Sequence, residues 1–390
     1  MNESEFLTLL KQAERGDIDA QYDVGQAYYY GDGVEENESK AFYWYQKAAE
    51  QGHADAQNEL GDCYYLGNGV KEDNDKAFYW YQKAAEQGHA EGQNNLGDCY
   101  CYGNGVKEDE TEALRWYVQS AKQGFAGAQY SLGKCYQYGY GGVEVSGEKA
   151  IKFLEMAIEQ GHAPAMCQLA DIYLVGKLVD EDEGKAFSLY ESAAKKGFSK
   201  GQFNLGECYY YGWGVTQDEE LAFTWFKKAA EAGWAEAMNS LGDCYYYGEG
   251  TEEDKNKAFI WYKKGAEKGD AKAQNNLGDC YYLGDGTSED EELALDWYIK
   301  SAEQGNAEAE SNLGMCYRYG IGLNEDINKA INWYNLSASH GYRGAMYALG
   351  EIYEKGEGVM QNMKLAIDYY KEAAEKGHKK AKEALARLGY

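Results

Sequence analysis

Five histidines, His53, His89, His162, His340 and His378, are the side chains of this 390-residue sequence whose ordinary titration suits acid-base work or metal ligation near neutral pH. Each lies beside a Gly that closes a helical segment, one per segment, so they recur along the chain instead of converging on one point. Loop roles therefore outweigh a ligand set. The pairs Asp32-Gly33, Asn68-Gly69, Asn104-Gly105 and Asp285-Gly286 are followed by acids, as in a calcium loop, but they lack the alternating ligand spacing and the closing Glu. Gly-x-Gly spacings do not follow a strand, so no phosphate or dinucleotide cradle is supported. Of the nine cysteines, Cys63, Cys99, Cys135, Cys208, Cys244, Cys280 and Cys316 occupy one recurring position. Cys99 and Cys101 are two apart and Cys167 is out of phase, which offers no paired spacing for zinc. No catalytic constellation, cofactor site or metal site emerges, and the sequence reads as a protein that is not an enzyme.

Charge narrows the partner classes. Against 66 Asp plus Glu stand 38 Lys plus Arg, a formal charge of -28, which excludes a nucleic-acid binder working by phosphate neutralisation. With 44% hydrophobic and 15% aromatic residues the chain has the apolar surface to fold and is not an acidic disordered polymer. Forty-eight Gly beside a single Pro suits helices that end on Gly and exclude Pro from their interiors. No uncharged apolar run approaches the ~18 to 20 residues of a membrane span, and Met1–Leu10 lacks a basic region ahead of its short apolar group, so no export signal is read. With one cysteine per repeat and no such signal, free thiols in a reducing cytoplasm are expected.

The elements that carry these residues repeat. Anchors at Gly25, Gly61, Gly97, Gly133, Ala170, Gly206, Gly242, Gly278, Gly314 and Gly350 are 36 residues apart, with one step of 37 absorbed between Gly139 and Ala150. Around Gly61, the spacing of Ala56, Leu60, Gly61, Cys63 and Tyr64 predicts one helix face, helix A; Ala77, Trp80, Tyr81, Ala84 and Ala85 predict a second, helix B. Four residues ahead of the first Ala of each helix B stands Asn, Asp or Ser, an N-cap, and each helix B closes on Gly. A single pair cannot bury these faces, so the pairs must stack. The expected organisation is an N-terminal capping helix over 1–16, ten repeats over 17–378, and a C-terminal capping helix over 379–390 built on Ala381, Leu385 and Ala386.

The recurring Ala56, Leu60-Gly61, Tyr64, Gly67, Gly69-Val70, Asp73, Lys76-Ala77, Trp80-Tyr81, Lys83-Ala84-Ala85 and Gly88 resemble the Sel-one-like repeat (SLR) family, relatives of the tetratricopeptide helix pair. The resemblance implies an all-α fold, a right-handed alpha-alpha superhelix or solenoid, used as a non-catalytic scaffold or adaptor for protein complexes. Phe153-Leu154 replaces Trp-Tyr in the fourth repeat and Leu178 replaces a loop glycine in the fifth, so even curvature is not expected around 134–190. The cysteine-rich secreted branch of the family pairs two cysteines per repeat, whereas this chain has one.

One stripe of helix A lies off the Leu60-Tyr64 face: residues one and four after the anchor. The expected partner-binding residues are Asp62, Tyr65, Asp98, Glu207, Tyr210, Asp243, Tyr246, Asp279 and Tyr282. In a tetratricopeptide-like arrangement they line a concave groove of acids and tyrosines, suited to a basic or amphipathic segment of another protein. Tyrosines that only pack between repeats are the competing reading of the stripe. An acidic inhibitor or immunity-type protein that occludes a cationic site on an enzyme is the competing function.

Overall fold

The computed structural model describes residues 1–390, and it is helical throughout: 22 α-helices and one 3₁₀ turn, Tyr140–Gly142, with no strand. The chain divides into two compact units, Met1–Ala193 and Ala194–Tyr390. Within each, an A helix packs on the B helix of its own repeat, and that B helix packs on the next A helix. In the first unit Ala54–Leu66 packs on Asn74–Glu86, which packs on Ala90–Tyr102; in the second, Ala235–Tyr247, Lys255–Glu267 and Ala271–Leu283 follow the same order.

Local chemistry sets the helix ends. All ten predicted B-helix caps accept a backbone N–H, as Asp73 does from Lys76 at 3.1 Å and Asp182 from Lys185 at 2.9 Å. Each such bond satisfies one otherwise orphaned donor of the first turn. The A helices stop at a left-handed residue such as Gly67, at φ 78°, where a side chain would be strained. The 37-residue step is absorbed by the Tyr140–Gly142 turn, in which Gly141 adopts φ +70°.

The anchor is small because a B-helix ring lies on it. A Cβ on Gly242 would sit 2.4 Å from Tyr262 Cε1, and one on Gly61 2.5 Å from Tyr81 Cε1. Beside each anchor a leucine such as Leu60, Leu241 or Leu277 is fully buried, each contributing about 1.5–3 kcal/mol by leaving water. At the N-terminus Phe6 and Ala13 of helix Glu3–Glu14 are buried, with Phe6 edge-on to Tyr28. At the C-terminus, helix Lys379–Leu388 buries Ala381 and Ala384 with Leu385 packed beside them. Ala386, expected in that contact, is exposed instead. It occupies the anchor register, 36 residues after Gly350, without the B-helix ring that lies on the other anchors.

Successive A helices within a unit also touch, as Ala54–Leu66 does Ala90–Tyr102 and Ala235–Tyr247 does Ala271–Leu283. Asparagines join them: Asn95 Nδ2 donates to Asn58 Oδ1, and Asn276 Nδ2 to Asn239 Oδ1, each at 3.0 Å. The A-helix faces of each unit thus form a continuous strip.

Candidate partner-binding face

The acids expected on that strip are hydrogen-bonded from inside the repeat. Tyr81 Oη donates to Asp62 Oδ1 at 2.6 Å and Tyr117 to Asp98 at 2.6 Å; Tyr262 donates to Asp243 and Tyr298 to Asp279, both at 2.7 Å. In every pair the tyrosine stands on helix B, nineteen residues after the acid, with its ring buried over the anchor. Asn58, Asn94, Asn239 and Asn275 donate to the other carboxylate oxygen of the same four acids. Where helix B has no hydroxyl the row changes too: Lys134 stands at the anchor covered by Leu154, and Glu207 at the one covered by Phe226.

Each acid is half-buried, and burial is the largest cause of its shift. Asp62, Asp243 and Asp279 are raised to about 6, and Asp98 is raised as well. Tyrosine hydrogen bonds work against burial by favouring the charged form. Glu59, on the same helix as Asp62, is pushed by burial to about 7.

The tyrosines four residues after the anchor divide. Tyr65 is exposed. Tyr210 Oη donates to Glu249 at 3.0 Å and Tyr246 Oη to Asp285 at 2.6 Å, each reaching the loop of the following repeat. Tyr282 meets no acid in that place, since Ile321 occupies it, and its ring packs against the cluster that contains Ile321. Tyr210, Tyr246 and Tyr282 therefore tie repeats together while showing part of a ring.

The most open apolar row lies one residue further, at the last position of helix A. In the first unit it holds Tyr30, Leu66, Tyr102, Tyr138 and Val175; in the second, Tyr211, Tyr247, Leu283 and Tyr319, with Tyr247 at 66% exposure. Spacing arguments built on the acid stripe pass over it. The legible signal was a large apolar residue, repeat after repeat, just ahead of the capping Gly and off the core face. In the second unit the row's rings are propped from behind: Tyr210 sits edge-on to Tyr211 and Tyr246 to Tyr247, both with centroids 4.9 Å apart.

Several clefts open on the strip. One of about 590 Å³ in the first unit joins Asp62, Tyr65, Leu66, Asp98, Tyr102 and Lys134. Another of about 510 Å³ in the second joins Asp243, Tyr247, Asp279, Glu308 and Tyr342. Lys134 Nζ approaches Tyr102 Oη at 3.3 Å and is the cation within the first cleft's acid row.

The histidines have a structural task. His53, His89, His162 and His378 each accept, through Nδ1, the backbone N–H three residues on, and so cap the next A helix. His340 closes a B helix and pairs with Glu310 at 2.9 Å. No group of three or more His, Cys, Asp or Glu is placed to hold a metal ion. No disulfide joins the nine cysteines, and all but Cys101 are buried; burial pushes Cys63 and Cys244 to about 12. No helix is long and apolar enough to cross a membrane.

An all-helical stack of 36-residue pairs with a small anchor under a B-helix ring defines an α-solenoid repeat protein. The chain belongs to the Sel1 repeat family, which matches ten times in near-continuous register from 18–53 to 344–378. It is similar to c5321, a protective antigen with an SLR fold from uropathogenic Escherichia coli, at 35% identity and a TM-score of 0.64, over 98% of this chain and 82% of that one. It is also similar to a Sel1 repeat protein from Oxalobacter formigenes, at 30% identity and a TM-score of 0.54, over 63% of this chain and 96% of that one. Among curated proteins no match is found.

Proposed function

We propose that this protein is a non-catalytic scaffold that holds a basic or amphipathic segment of another protein against the acid- and tyrosine-bearing face of its A helices. The observation that carries the reading is the exposed apolar row at the end of nearly every A helix, flanked by carboxylates. Exposed large side chains in such a row suit a protein interface. Membership of a family of interaction repeats supports the same class. The formal charge of -28 favours a basic partner, whose encounter the acids would speed. Nine cysteines with no disulfide among them support a reducing cytoplasm as the site of action.

The test is a photocrosslinking residue placed at Tyr247, on an A helix, or at Tyr79, exposed on a B helix, in cells that make the protein from its own gene. Capture of a discrete protein from position 247 and not from 79 is expected. Capture from position 79 alone would move the interface to the other face.

A further inference from the structure

The proposed groove contains two lanes, and their geometry restricts what shape of chain can follow both. In the second unit one lane is Tyr211, Tyr247, Leu283 and Tyr319, and the other is Glu207, Asp243 and Asp279, four residues earlier on the same helices. Four residues of α-helix rise about 6 Å, so the strip containing both lanes is narrower than the ~10–12 Å diameter of a helix. Along the strip each lane advances once per repeat, which for packed helices is about 8–10 Å.

An extended β-strand covers that distance in three residues, but its side chains alternate, so every third residue falls on opposite faces. A polyproline II segment rises about 3.1 Å per residue with three residues per turn, or roughly 9.3 Å per turn, and keeps every third residue on one side. Its three sides also meet the two lanes and the solvent together. Backbone hydrogen bonding favours the same occupant. The amides here donate to one another and to the acids, Asn239 Nδ2 to Asp243 and Asn276 Nδ2 to Asn239 and Asp243, and polyproline II leaves its backbone to water. Tyr211 and Tyr247 are propped by Tyr210 and Tyr246, which are themselves held by Glu249 and Asp285, so the aromatic lane is set before a ligand arrives.

We infer that the second unit reads a basic, proline-containing segment in the polyproline II conformation at one turn per repeat, with prolines on the Tyr211–Tyr319 lane and Lys or Arg on the Glu207–Asp279 lane. This rests on the groove reading above and adds to it the partner's conformation and period.

The test uses three probe peptides of equal length and charge: a Lys-Pro-Pro repeat, a flexible Lys-Gly-Gly repeat, and an alanine-based helical peptide. They are titrated against the full chain by fluorescence anisotropy. Preorganisation should give the Lys-Pro-Pro peptide on the order of 10-fold tighter binding than the flexible one. Tyr247→Ala with Tyr319→Ala should abolish that difference, and thermal unfolding of the variant should match wild type because both rings are exposed. Equal affinity for the proline and glycine peptides, or tighter binding of the helical one, overturns the inference. The crosslink from position 247 tests the groove separately: if it forms while the peptide preference is absent, the groove stands and the polyproline reading falls.

Discussion

The hydroxyl of Tyr45 is buried without a hydrogen-bond partner in the protein, because Gln26, nineteen residues before it, turns its amide to Tyr22 Oη at 3.0 Å instead. In the corresponding place of the seventh repeat, Asp243 accepts from Tyr262. The two sites should answer the same substitution differently. Tyr45→Phe removes an unsatisfied group and is expected to leave stability unchanged or raised. Tyr262→Phe takes a donor from a half-buried carboxylate and should cost about 1.5 kcal/mol or more. Urea unfolding of the two variants checks this, and equal losses would contradict it.

A second orphan has a local remedy. Gln202 Oε1 is buried without a partner, and the residue thirty positions on is Ala232. In the same unit the corresponding Gln304 Nε2 donates to Gln274 Oε1 at 2.8 Å. Ala232→Gln should supply the missing donor and stabilise the protein by about 0.5–1.5 kcal/mol. A fall in the thermal midpoint would show that the exposed end of that B helix does not admit the contact.

Protonation gives a third expectation. Asp62, Asp243 and Asp279 sit at about 6 in the folded chain, above the ordinary carboxylate value near 4, and Glu59 at about 7. The folded state therefore binds more protons between about pH 4 and 7, and the stability these groups confer is lost as pH rises through their folded values. His162 and His378, lowered mainly by burial, act oppositely: their contribution is complete above about 6.5 and is lost as pH falls toward the folded value. The carboxylates are more numerous, so the thermal midpoint should be higher near about pH 5.5 than near about pH 8. Asp243→Asn with Asp279→Asn should flatten that slope. A midpoint that climbs steadily toward pH 8 would give the histidines the larger share.

Helices, their caps and the ten-fold register are legible in the sequence because each is local. Asp73 marks a helix start by its own side chain, and Gly67 an end by its own backbone. The anchor's smallness is legible as well, though not its cause, the ring of Tyr81. The acid row needs more than spacing. Asp62 and Tyr65 lie on one side of their helix, as periodicity requires, but the bond from Tyr81 joins residues on two helices whose relative rotation no single helix specifies. The exposure of Ala386 has the same origin, since its register is right but burial of an anchor depends on a ring from a second helix.

The glutamine contacts have a consequence for how such a chain changes over generations. Gln57 Nε2 donates back to the carbonyl of Ala49 at 3.1 Å, in the preceding repeat, while its Oε1 receives Gln87 Nε2 at 2.7 Å from its own repeat. Gln274 divides its two ends in the same way between Ala266 and Gln304. The bond that crosses the junction reads only main chain, which any neighbour supplies, and the bond that reads a side chain stays within the repeat. A duplicated or deleted cassette of whole repeats therefore carries its matched side chains with it and meets an acceptable carbonyl wherever it lands, so at this contact the number of repeats is free to drift without a compensating mutation.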